Sequence, residues 1–117
     1  MGEGKKLQIR NSTVDFLVFT KDAEENGIEV RVQEDTVWLT QKAIGQLFDI
    51  DRSVVTKHLK KIFADGELEE NSTCAFFAQV ADNGKTYRYK FYSLPAIIAV
   101  GYRVNSQRAT QFRQWAT

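Results

Sequence analysis

A mixed α+β fold follows from three observations on this 117-residue chain. In 37–63, VWLTQKAIGQLFDIDRSVVTKHLKKIF, apolar residues recur twice at helical spacing around a three-residue break. Farther on, two β-like runs flank Asn83-Gly84, the strongest short hairpin signal a sequence offers. The last quarter returns to a helical period. Two helices on a tight turn, then a basic hairpin, make a winged helix-turn-helix, here with an N-terminal β-hairpin and two C-terminal helices.

The elements follow in order. Residues 1–12 are polar and read as a loose segment before one domain over 13–117. Residues 13–20 (TVDFLVFT) are β-branched and aromatic, and 28–33 alternate apolar with polar, which together predict a hairpin. Residues 36–39 add a short strand. Thr40 is a good N-cap for a helix over 41–48, with Ile44, Leu47 and Phe48 on one face. Gly45 stands where two helices must come close. Asp49 takes the turn position, since Asp tolerates the left-handed region better than most residues. Asp51 caps a second helix over 52–63, with Val54, Val55, Leu59, Ile62 and Phe63 inward.

Residues 64–73 are acidic and turn-rich. The hairpin spans 75–92, with Tyr87, Tyr89 and Phe91 inward and Arg88, Lys90 and Tyr92 alternating with them. Residues 94–100 (LPAIIAV) predict a buried helix with Pro95 in its first turn and Gly101 as its stop. Asn105 or Ser106 caps a last helix with the stripe Ala109, Phe112, Trp115 and Ala116. That helix runs out at Ala116-Thr117 without a cap, so the chain reads as a domain of a longer protein.

Composition bounds the function. The chain is 43% hydrophobic, enough to bury a core. One Cys and one His leave no all-protein zinc or disulfide site within one chain, and no cofactor is expected. No run of 18 apolar residues predicts a membrane span, and the N-terminus lacks a signal-peptide core, so the cytoplasm is the expected compartment. His58 lacks a metal-sharing partner, Ser53 and Ser106 sit in no nucleophile elbow, and no phosphate-cradling Gly loop exists. An enzyme is not expected.

The net charge of +1 hides segregation. Residues 41–63 hold five basic and two acidic residues; 64–82 hold five acidic and none basic; 85–117 hold six basic and none acidic. A basic face is therefore available to double-stranded DNA. The second helix enters the major groove in such folds, which assigns contacts to Arg52, Ser53, Thr56, Lys57, Lys60 and Lys61, supported by Thr40 and Gln41. Lys85, Arg88 and Lys90 are the hairpin's contacts. Arg103 and Arg108 form either an anion-binding point or an internal ion pair with the acidic loop 65–70. A homodimer is expected to form through the C-terminal helices, anchored by Phe112 or Trp115.

The same helical run, then DGELEENSTCAFFA, then GYRVNSQRATQFRQWAT, resembles the N-terminal domain of the RhuM virulence-protein family over about residues 28–117. VGYRVNSQRATQFRQWAT is the most specific phrase. Lys42, Gln107 and Ala109 depart from residues common in that family. The Gln-Phe-Arg-Gln-Trp segment is also similar to the end of phage antirepressor N-terminal domains. The first resemblance implies a DNA-binding module regulating transcription at a bacterial mobile or virulence-associated locus. The second implies the alternative, an antirepressor-like module that binds another regulator protein.

Overall fold

The computed structural model describes residues 27–116, with side chains through residue 114. The strand expected at 13–20 lies outside the described residues. The second strand of that hairpin is shorter than 28–33: β1 is Arg31–Gln33 and pairs antiparallel with β2, Thr36–Leu39. Glu34 and Asp35 turn the chain between them, both at positive φ (56° and 61°). Two such residues match the right-handed twist of the strands they join.

β2 continues into α1, Gln41–Phe48. Thr40 caps it as expected, its hydroxyl oxygen accepting from the Ala43 N–H at 3.1 Å. Asp49 ends the helix in the left-handed region (φ 56°, ψ 51°). The following Ile50 N–H returns to the Gly45 carbonyl at 2.9 Å. Asp51 then caps α2, Arg52–Ala64, accepting from the Ser53 N–H at 2.9 Å. Gly45 is where this turn folds back. A Cβ there would stand 2.9 Å from the Ile50 carbonyl oxygen and 3.6 Å from the Arg52 nitrogen. The small residue is demanded by the turn backbone that α1 meets.

The segment expected to be turns contains one helical turn, α3, Glu70–Thr73. The Thr73 hydroxyl holds it by donating to the Glu69 carbonyl at 2.8 Å. β3, Cys74–Val80, and β4, Thr86–Ser93, form the hairpin that Asn83-Gly84 announced. Gly84 takes φ 82°, and the Asn83 side-chain oxygen accepts from the Lys85 N–H. Trp38 and Leu39 of β2 pair with Ser93 and Tyr92 of β4. The result is a four-stranded antiparallel sheet in the order β1-β2-β4-β3.

α4 runs Leu94–Arg103 with Pro95 in its first turn, and α5 runs Gln107–Ala116. The fold is thus mixed α+β, with helices packed against the base of an antiparallel sheet. Leu39, Ile44, Leu47, Leu59, Ile62 and Ile97 are fully buried between them.

Several expectations are corrected. Val54 is 36% exposed, because α2 turns only one narrow stripe (Val55, Leu59, Ile62) to the core. Tyr87 and Tyr89 are exposed at 42% and 37%. Tyr92, expected on the outward set with Arg88 and Lys90, is instead buried at 4%. Burial along β4 follows distance from the helices rather than alternation: its outer half is bare on both faces and its base is covered on both. Gly101 does not stop α4. It lies inside the helix, and a Cβ there would stand 2.6 Å from the Phe112 ring. Phe112 is fully buried, edge-on to Phe48 with ring centroids 5.0 Å apart, so it offers no anchor to a second chain.

The C-terminal phrase finishes the helical core. Ser106, rather than Asn105, supplies the cap of α5: its oxygen accepts from the Ala109 N–H at 3.1 Å. The same hydroxyl donates to the Phe48 carbonyl at 2.6 Å, and Arg108 Nε donates to the Leu47 carbonyl at 3.2 Å. These are carbonyls at the C-terminal end of α1, which no intrahelical N–H can reach. Arg113 donates to the Gly101 and Val104 carbonyls, closing the end of α4 in the same way.

Candidate nucleic-acid interface

α2 carries cations only. Arg52, Lys57, Lys60 and Lys61 are exposed, and no carboxylate lies between Arg52 and Ala64. The reason is the narrow apolar stripe, which leaves most of the helix circumference to solvent. Asp51 at the N-terminus is turned back onto Ser53, accepting from both its N–H and its hydroxyl. Those bonds hold the Asp51 carboxyl below the usual carboxylate range. Ser53 is correspondingly engaged in the cap. At the other end Lys61 reaches Asp65 at 3.9 Å, both groups well exposed, an ion pair of little energetic weight.

Thr56 and Gln41 serve each other. The Thr56 hydroxyl lies 2.5 Å from the Gln41 side-chain carbonyl and 3.1 Å from the Arg52 carbonyl; its single proton goes to the closer acceptor. The Gln41 amide nitrogen donates onward to the Tyr92 hydroxyl at 2.8 Å. One half-buried chain of hydrogen bonds therefore ties α2, the first residue of α1 and the base of β4. The Tyr92 ring is itself buried and stacks on Phe63, with centroids 6.5 Å apart.

A cleft of about 620 Å³ opens beside this tie. Thr40, Gln41 and Arg52 border it from the helices, and Gln79, Tyr89 and Lys90 from the hairpin. Lys42 and Gln46 of α1 also face it. Sequence reasoning left both out of the site. Their signal was the i, i+4 spacing on the side of α1 opposite its core stripe, beside Gln41. A smaller depression of about 290 Å³ brings Thr56, Lys60 and Lys90 together on the next side of α2.

The hairpin cations are distributed differently. Lys85 lies exposed in the turn. Arg88 holds its guanidinium 5.6 Å from the Phe76 ring centroid. Lys90 is paired with Glu70 of α3, and this bond raises its pKa above the usual lysine value. Arg103 and Arg108 do not join them. Arg103 pairs with Glu67 at 3.3 Å, the ion pair with the acidic loop that the sequence allowed. Arg108 is on the Leu47 carbonyl, at the opposite end of α1 from the cleft. His58, on the Arg103 side of α2, has its pKa lowered, first by burial and then by the charges of Arg103 and Lys57. At neutral pH it adds no charge to the helix.

Among the described residues no helix is long and apolar enough to cross a membrane, and no cluster of three or more His, Cys, Asp or Glu residues is placed to hold a metal. Cys74 is half-buried, and burial raises its pKa, which keeps it a thiol at neutral pH.

Residues 72–117 match the model of the Virulence protein RhuM family. The RhuM resemblance read from the sequence is borne out over that stretch. It begins in α3 and takes in the hairpin, α4 and α5, including the residues that close the ends of α1 and α4. No curated protein and no solved structure matches the chain.

Proposed function

We propose that this chain is a winged helix-turn-helix module that binds double-stranded DNA, with α2 as the recognition helix, acting as a transcriptional regulator at a virulence-associated locus. The supporting observation is the carboxylate-free face of α2, four exposed cations on one 13-residue helix, with β3–β4 bordering the same cleft as its N-terminus. Cations on such a face displace the counterions condensed on DNA phosphates into solution, so affinity falls steeply with salt. Lys57 and Lys60, farther along α2, take phosphates. Arg52 sits in the first turn, the part that points into a groove, and reads a base edge. The Thr56–Gln41–Tyr92 chain is a support that fixes α2 against the hairpin.

Fluorescence anisotropy with duplex DNA tests this. Lys60→Ala weakens specific and random duplexes alike and reduces the salt slope by about one unit. Arg52→Ala relaxes preference at one base pair, costing about 1–3 kcal/mol there if the contact is bidentate. Equal losses on both duplex types from both changes would defeat this division of labour. A duplex affinity independent of salt would defeat the reading itself.

A second reading is favoured by the hairpin. Phe76, Val80, Tyr87 and Tyr89 are exposed large hydrophobic side chains on one projection, a composition suited to protein contact. In that case the module is antirepressor-like and binds another regulator. Loss of partner capture in Phe76→Ser, with α2 substitutions harmless, distinguishes it.

A further inference from the structure

β3 ends the sheet: its one neighbour among the described residues is β4. Proteins ordinarily blunt a free edge with lysine, proline, a bulge or brevity. β3 has none of these. It is seven residues long, and its sequence CAFFAQV contains no charge and no proline. It pairs with β4 residue for residue from Cys74 to Val80, without a bulge. Phe76 and Val80 on it are 54% and 66% exposed.

We propose that β3 pairs antiparallel with β3 of a second copy of this chain, in a register centred on Phe77. Over its full seven residues the strand is complementary to itself in that register. Cys74, Phe76, Ala78 and Val80 share one face of the sheet, alternating small and large. Reversal about Phe77 sets each Phe76 against the other copy's Ala78, and each Val80 against the other's Cys74. A slip of one residue puts the outward and inward sets of the two strands out of step.

Charge selects the same arrangement. Glu69 and Glu70 lie four to five residues before the strand, Glu70 paired with Lys90, and the turn that follows it carries both Asp82 and Lys85. Antiparallel pairing keeps the two acidic ends apart, each beside the other copy's turn, where Asp82 and Lys85 balance. Parallel pairing stacks carboxylates on carboxylates. The dimer itself requires no DNA, and it stands or falls independently of the DNA reading.

Two measurements test it. Sedimentation equilibrium of the unmodified protein shows a reversible monomer–dimer equilibrium, shifted to monomer by Phe76→Lys. Val80→Cys, with the native Cys74, forms a disulfide-linked dimer under a mild oxidant. The two positions are six residues apart on one strand, roughly 20 Å, too far to bridge within a chain. Ala78→Cys, which faces Phe76 of the other copy, crosslinks far less. A protein that stays monomeric at high micromolar concentration overturns the proposal. So does equal crosslinking of the two cysteine variants, which would mark random collision.

Discussion

The α1–α2 unit and the β3–β4 hairpin adjoin one cleft, yet their side chains are committed to different degrees. In the helical unit nearly every polar group that the chain turns inward has a named partner: Thr40 on Ala43, Asp51 on Ser53, Gln41 between Thr56 and Tyr92. In the outer hairpin the aromatic rings are partly bare, and Arg88 rests on the exposed Phe76. Stability resides in the first region, and surface available for recognition is concentrated in the second and on the outer face of α2. Changes should divide along that line.

The largest effect is expected at the joint that closes the helical unit. Phe112→Ala removes a fully buried ring that packs against Phe48 and Gly101. It should cost about 3–5 kcal/mol, read by urea unfolding. A loss below 1 kcal/mol would mean that α5 is not part of the cooperative core. Next comes Gly45→Ala. The added Cβ meets backbone, the Ile50 carbonyl oxygen, which cannot rotate away. A loss of about 1–3 kcal/mol is expected, with duplex affinity reduced because the turn sets the pose of α2.

A pH effect should be smaller. The Asp51 carboxyl has a folded pKa below its unfolded one, because the Ser53 hydroxyl and N–H bind the anion. Its contribution is therefore complete above the ordinary carboxylate pKa and is lost as pH falls through the depressed value. Asp51→Asn keeps an acceptor for the cap and removes the titration. Melting temperature should then fall less steeply below about pH 4 than in the parent protein. Parallel curves would show that Asp51 is not a source of acid sensitivity. Smallest of all, Tyr87→Ser in the outer hairpin should change stability by no more than about 0.5 kcal/mol. A loss above 1 kcal/mol would erase the contrast between the two regions.

How far the sequence could be read divides along the same line. Caps were legible: Thr40, Asp51, Asp49 and the Asn83-Gly84 turn each satisfy a local rule, and each stands where that rule put it. Local rules require only near neighbours in sequence. The burial of Tyr87 and Tyr89 was misread because alternation gives a face and says nothing of whether another layer lies over it. Gly101 was misread as a stop for a related reason: its partner, Phe112, is eleven residues away and on another helix. Among the candidate DNA contacts, the exposed lysines of α2 lie where helical spacing placed them. Gln41, Thr56, Arg103 and Arg108 were chosen for their chemistry. Each spends that chemistry on a partner inside the protein; only the Arg103 pair with the acidic loop was among the alternatives the sequence offered, and the others lie too far off in sequence for a spacing rule to reveal.

The closure of α1 by Arg108 also has a consequence in time. The Leu47 carbonyl and the arginine that occupies it are separated by 61 positions. At synthesis rates of about 5–20 residues per second, roughly 3–12 s pass between the making of one and the arrival of the other. Throughout that interval Phe48 lacks its Phe112 neighbour, and the end of α1 is answered by water alone. The nascent chain can lay down α2 early, but the tertiary lock comes late. A ribosome that stalls before residue 106 would therefore hold out a half-finished core, the species most attractive to a chaperone that binds exposed aromatic side chains.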